Sequence, residues 1–95
     1  MLNLNHIPQR SPGIIARRTG DEYVLVPVTD NIADMTSMYT LNETAAFVWD
    51  RIDGSATVEE IATALADEYG EDIETTRRDV VACIEDLEKY LITKR

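Results

Sequence analysis

The side chains able to do covalent or metal chemistry are few and stand apart. The 95 residues contain one cysteine, Cys83, and one histidine, His6. A thiol becomes a nucleophile beside a base or a positive charge. Cys83 falls instead among Val80, Ile84 and Leu87 at helical spacing, which reads as a buried structural thiol. A zinc or iron–sulfur site needs several ligands at set spacings, and His6 has no companions and reads as a solvated tail residue. Eighteen Asp and Glu residues supply carboxylates. Glu59-Glu60, Asp67-Glu68 and Glu85-Asp86, however, fall on polar helix faces, where charges are solvated. No glycine-rich phosphate loop is present. The sequence therefore points to a protein that is not an enzyme and carries no cofactor or metal, with its function in its surface and architecture.

The elements that build this surface are legible from periodicity. Leu41 to Gly54 reads as a capped amphipathic helix. Asn42 caps it, Glu43 sits in the first turn, Gly54 ends it, and Ala45, Val48, Trp49 and Ile52 share one stripe. Thr57-Val58-Glu59-Glu60 is a capping box opening a second helix that stops at Gly70. A third runs from near Asp72 to about Leu91, with Val80, Ile84, Leu87 and Leu91 at its apolar centre. Val81, beside Arg77, widens that stripe on one flank, and Cys83 and Tyr90 widen it on the other. It spans roughly half the circumference, wider than the ~100° needed to pack on one side. The helix is a central pillar, or one flank lines a groove, or both.

Three strands precede the helices. Gly13 to Arg18 is short, and Thr19-Gly20-Asp21 is a hairpin turn. Glu22 to Val28 is the densest β-forming run, with Pro27 marking a strand end, a bulge or an edge. Asp34 to Leu41 alternates as a third strand whose outer side is a free sheet edge. The expected fold class is α+β, winged helix-turn-helix-like, with a three-stranded antiparallel sheet followed by three helices. Residues 1–12 form a flexible arm broken by Pro8 and Pro12, and residues 13–93 form the domain.

Charge narrows the partners. The net charge is -9. The first twenty residues carry Arg10, Arg17 and Arg18 and no acid, while the remainder holds six Lys or Arg against all eighteen acids. Between Asp72 and Leu91, three cations face six acids. A helix that reads DNA brings positive charge to the phosphates, so the winged-helix DNA-binding regulator stands as the alternative reading and nucleic acid is not an expected partner. No apolar run is long enough to span a membrane, the N-terminus lacks signal-peptide character, and one cysteine forms no internal disulfide. The expectation is a cytoplasmic protein without a membrane partner. A third reading is an interaction subunit using the basic arm. The arm and free edge also leave room for a domain-swapped homodimer.

Tyr39 with L-N-E-T-A-A-F-V-W-D-R-I-D-G (Leu41 to Gly54), T-V-E-E-I-A-T-A-L-A-D-E-Y-G (Thr57 to Gly70) and the late pattern Asp79-Val80, Leu87, Leu91-Ile92 resemble the PqqD-like family, the RiPP recognition elements. The resemblance spans roughly Gly13 to Thr93. It implies a non-catalytic peptide chaperone that binds the leader segment of a ribosomally made precursor peptide by β-strand addition. Such a chaperone presents the precursor to a radical SAM or other modifying enzyme, in pyrroloquinoline quinone biosynthesis or a related pathway. Carried onto this chain, the peptide-binding residues are Asp34, Met35, Thr36, Ser37, Met38 and Tyr39 on the strand, and Arg77, Val81 and Ile84 on the third helix. Arg77 would meet an acidic leader side chain, and Val81 and Ile84 apolar ones. Founding-type sequences run more directly from the second strand to the Leu-Asn element, with an acid after the proline. Here Val28 follows Pro27 and the connection is longer, a departure that bears on the quinone pathway and not on the wider family.

Overall fold

A computed structural model of the protein describes residues 3–29, 32–33, 38–90 and 92–93. The chain order is β1 (Ile14–Thr19), β2 (Glu22–Thr29), β3 (Ile32–Ala33), β4 (Tyr39–Leu41), α1 (Glu43–Arg51), α2 (Val58–Tyr69) and α3 (Ile73–Lys89). This is the expected α+β arrangement, an antiparallel sheet followed by three helices.

β2 is the central strand. It pairs antiparallel with β1 from Ile14↔Pro27 to Thr19↔Glu22, and with β4 from Tyr23↔Leu41 to Leu25↔Tyr39. The two-residue β3 pairs with the end of β2 at Val28 and Thr29. Pro27 lies inside β2 rather than at its end. Val28 N–H donates to Gly13 C=O at 2.6 Å, so even-numbered β2 residues bond β1 and odd-numbered ones bond the other side. The missing donor of Pro27 falls between the stretches paired to β4 and to β3, where among the described residues no ladder bond is lost. The same bond explains Gly13. Its φ is +79°, and a Cβ there would sit 2.8 Å from the Val28 carbonyl oxygen, so a side chain is excluded twice over.

The helices open and close largely as their sequences dictate. Asn42 accepts from Ala45 N–H, Asp72 accepts from Thr75 N–H, and both halves of the Thr57–Glu60 capping box form. Gly70 closes α2 in the left-handed conformation, its N–H donating to Ala66 C=O. α1 ends sooner than expected. Ile52, not Gly54, is its C-cap, with extended backbone. Ile52 is fully buried, so burying its side chain accompanies the early end of the helix.

Leu25 and Leu41 from the sheet join Trp49, Ile52, Val58, Ile61, Leu65, Val80, Ile84 and Leu87 in one core. Ile14, Tyr23 and Tyr39 pack on it from the same sheet face. The opposite face carries a second apolar patch, where Val24 and Val26 are buried and Ile15 and Met38 are exposed.

Residues 3–12, the described part of the arm, are fastened to the helices. The Leu4 and His6 carbonyls accept the N–H groups of Glu59 and Val58. These are first-turn donors of α2 with no partner inside the helix, and the capping box does not reach them. Pro8 is fully buried, and Ser11 N–H donates to Ile92 C=O. The Arg10 guanidinium donates to Trp49 C=O at 2.6 Å and lies 4.3 Å from the Trp49 ring centroid. His6 is held with the arm: its Nε2 is buried 3.8 Å from a Glu88 carboxylate oxygen, not free in solvent.

Candidate functional site: the groove between β4 and α3

β4 is bonded to the sheet on one side only. The alternation that turns Tyr23 and Leu25 toward β4 makes Leu41 and Tyr39 their bonded partners, which leaves the Thr40 N–H and C=O pointing away from the sheet. Among the described residues, no backbone bond satisfies Thr40 on that side. An unpaired edge of this kind is a template for one more strand.

A groove of about 400 Å³ runs along this edge. Tyr39, Thr40 and Leu41 form one wall, and Asp79, Ala82, Cys83, Asp86 and Leu87 of α3 form the other. Asn42, Thr44 and Ala45, where α1 begins, close one end. The Tyr39 ring meets the Tyr90 ring at 5.4 Å between centroids and 52° between planes, and Tyr90 is 57% exposed.

The electrostatics of the groove are negative. Burial pushes the Cys83 thiol up to about 11, with the Asp86 carboxylate adding to the shift. Burial also raises the Tyr39 phenol, again reinforced first by Asp86. Both groups are therefore neutral near pH 7, and Cys83 is a poor nucleophile. Among the described residues, no three His, Cys, Asp or Glu side chains converge as a metal site, and no helix is long and apolar enough to cross a membrane.

The structure separates the residues expected from sequence. Tyr39 lies in the groove. Met38 is 44% exposed and lines the patch on the opposite sheet face. Asp34, Met35, Thr36 and Ser37 lie outside the described residues, as does Leu91. The α3 residues do not join Tyr39. Ile84 is 0% exposed and Val81 is 7% exposed, both within the core. The Arg77 guanidinium donates to both carboxylate oxygens of Glu59 on α2, at 2.8 and 2.6 Å, and to Glu74 at 2.7 Å. These bonds hold Arg77 charged and raise its pKa, Glu59 contributing most. At 100° per residue, Arg77 and Val81 lie roughly opposite the groove-facing Asp79, Cys83 and Asp86 around α3. The groove thus uses the flank marked by Cys83 and Tyr90, while the other faces α2. Asp79, Ala82, Asp86 and Thr40 were missed. The available signal was Asp79-Cys83-Asp86 at i, i+4 and i+7, which places two acids beside the Cys83 flank.

A family model described as coenzyme PQQ synthesis protein D matches residues 22–92. Among solved structures, the chain is similar to the PqqD truncation of Methylobacterium extorquens PqqCD, described as a functional, stand-alone RiPP recognition element. Identity is 21%, coverage is 100% of this chain and 96% of that chain, and the TM-score is 0.78. It is also similar to a lasso peptide synthetase B1 complexed with the leader peptide, at 21% identity, 95% and 100% coverage and a TM-score of 0.75. TbiB1 in complex with the TbiA(beta) leader peptide aligns at 21% identity, 90% and 94% coverage and a TM-score of 0.73. At this identity the likeness to the three structures is one of fold. No curated protein matches the sequence.

Proposed function

This chain belongs to the PqqD family, and on that premise we propose that it binds the leader segment of a ribosomally made precursor peptide as an added strand along β4 and presents it to a modifying enzyme. The observation that carries the reading is the free Thr40 edge beside the α3 groove. An extended segment entering there bonds to Thr40 through its backbone, while side chains on its α3-facing side enter the groove. Two solved structures of the same fold contain a leader peptide, which supports this reading. The role is non-catalytic: the chain orients a substrate for chemistry done elsewhere, with a radical SAM enzyme as the partner class the family suggests. The family description makes pyrroloquinoline quinone synthesis the first pathway to test. The site would operate in the cytoplasm, where precursor peptides are made.

Net negative charge on the candidate recognition helix disfavours the alternative, a winged-helix DNA-binding regulator. The groove face of α3 carries Asp79 and Asp86, which repel phosphate.

The test is titration of isotope-labelled protein with the leader of a precursor peptide encoded beside its gene. Amide shifts at Thr40 and from Asp79 to Asp86 are expected. Saturating peptide with no shift at these positions would sink the proposal.

A further inference from the structure

Resting on strand addition at β4, we infer that the groove selects segments carrying Lys or Arg on the face turned toward α3. Asp79 and Asp86 both line the groove. They are seven residues apart, a rise of about 10 Å along the helix. Among the described residues, neither carboxylate makes a hydrogen bond or ion pair, and no Lys or Arg lines the groove. Of the cations on α3, Arg77 is bonded to Glu59 and Glu74, Lys89 has its Nζ 5.8 Å from the Tyr90 ring centroid, and Arg78, next to Asp79, is exposed and among the described residues pairs with neither carboxylate. Burial is the main cause of the raised Tyr39 phenol and Cys83 thiol, and the Asp86 carboxylate adds to both from within the groove.

The geometry limits where the basic residues stand. In an added strand, alternate side chains share a face and are about 7 Å apart. Lys and Arg have long stems. Residues two or four apart therefore span the two carboxylates, and the strand backbone stays on Thr40. An acidic segment would bring like charges together in a partly enclosed groove.

The experiment pans a display library of random 12-residue peptides against the full chain at low salt. Three proteins run in parallel: wild type, D79N/D86N, and D67N/E68Q, which removes two acids from α2 outside the groove. Thermal melts confirm that all three are folded. Wild type is expected to enrich Lys and Arg at alternate positions, in peptides that shift the Thr40 amide. Their affinity should fall about three- to tenfold in D79N/D86N and at high salt, and stay unchanged in D67N/E68Q. Peptides that shift Thr40 without basic enrichment, or whose affinity is the same in D79N/D86N, would overturn the charge selection and leave strand addition standing. A library yielding no peptide that shifts Thr40 would overturn both.

Discussion

Val81 and Ala82 are neighbours on α3 with opposite fates. Val81 is buried in the core and Ala82 is exposed on the groove wall. Val81→Asp places an unpartnered carboxylate among apolar side chains, at a cost of several kcal/mol. We expect it to unfold the domain or lower its melting temperature by more than 10 °C. Ala82→Trp fills the groove from a position open to solvent. It should melt within a few degrees of wild type and bind leader peptide at least tenfold more weakly. Circular-dichroism melts with binding isotherms check the pair, and equal melting temperatures for both would contradict the placement of Val81.

Cys83 gives a pH signature at the same scale. Its thiol is raised to about 11, and alkylation proceeds through the thiolate. Near pH 8 its modification by iodoacetamide should be roughly hundredfold slower than that of a free thiol, and the rate should climb about tenfold per pH unit until near pH 11. Peptide bound in the groove should slow it further. Rapid modification at pH 7 would show that the thiol is neither buried nor near a negative charge.

The elements were legible to different depths, for physical reasons. Helix ends are local: Asn42, Thr57 with Glu60, Asp72 and Gly70 each act within a turn, and each caps where its type predicts. The width of the apolar stripe on α3 was also legible, because periodicity counts apolar residues around the axis. Which flank met β4 was not. That depends on long-range partners such as Glu59, eighteen residues before Arg77, and a lone arginine near the stripe gives no sign of them. The third strand was expected from Asp34 to Leu41, and of this span the structure describes strand at Tyr39–Leu41. The arm read as flexible because its prolines discourage regular structure. It is held by backbone groups that sequence patterns do not report, the Leu4 and His6 carbonyls meeting first-turn donors of α2. Removing residues 1–12 should therefore lower stability by about 2 kcal/mol, from the lost Pro8 burial and backbone bonds. That corresponds to a drop of about 10 °C in melting temperature. A melt unchanged by the truncation would contradict this attachment.

At the scale of the whole molecule, the parts divide the work. The helix trio and the inner sheet face make the core, and the arm braces α2 and Trp49. Among the described residues the sheet has two open edges, the outer side of β1 and the Thr40 edge of β4, and the acidic groove lies beside the second. Strand addition requires that the partner bond to the backbone of Thr40. Thr40→Pro tests it directly. The Thr40 N–H points away from β2, so proline removes no bond of the sheet, and an edge strand accepts proline in that orientation. The measurement is the affinity of a fluorescently labelled leader peptide for Thr40→Pro and wild type, with a thermal melt of each. Melting temperatures within a few degrees of each other are expected, with a Kd at least tenfold higher for the variant, the effect of one lost backbone bond of about 1.4 kcal/mol. A folded Thr40→Pro that binds the leader as tightly as wild type would contradict strand addition.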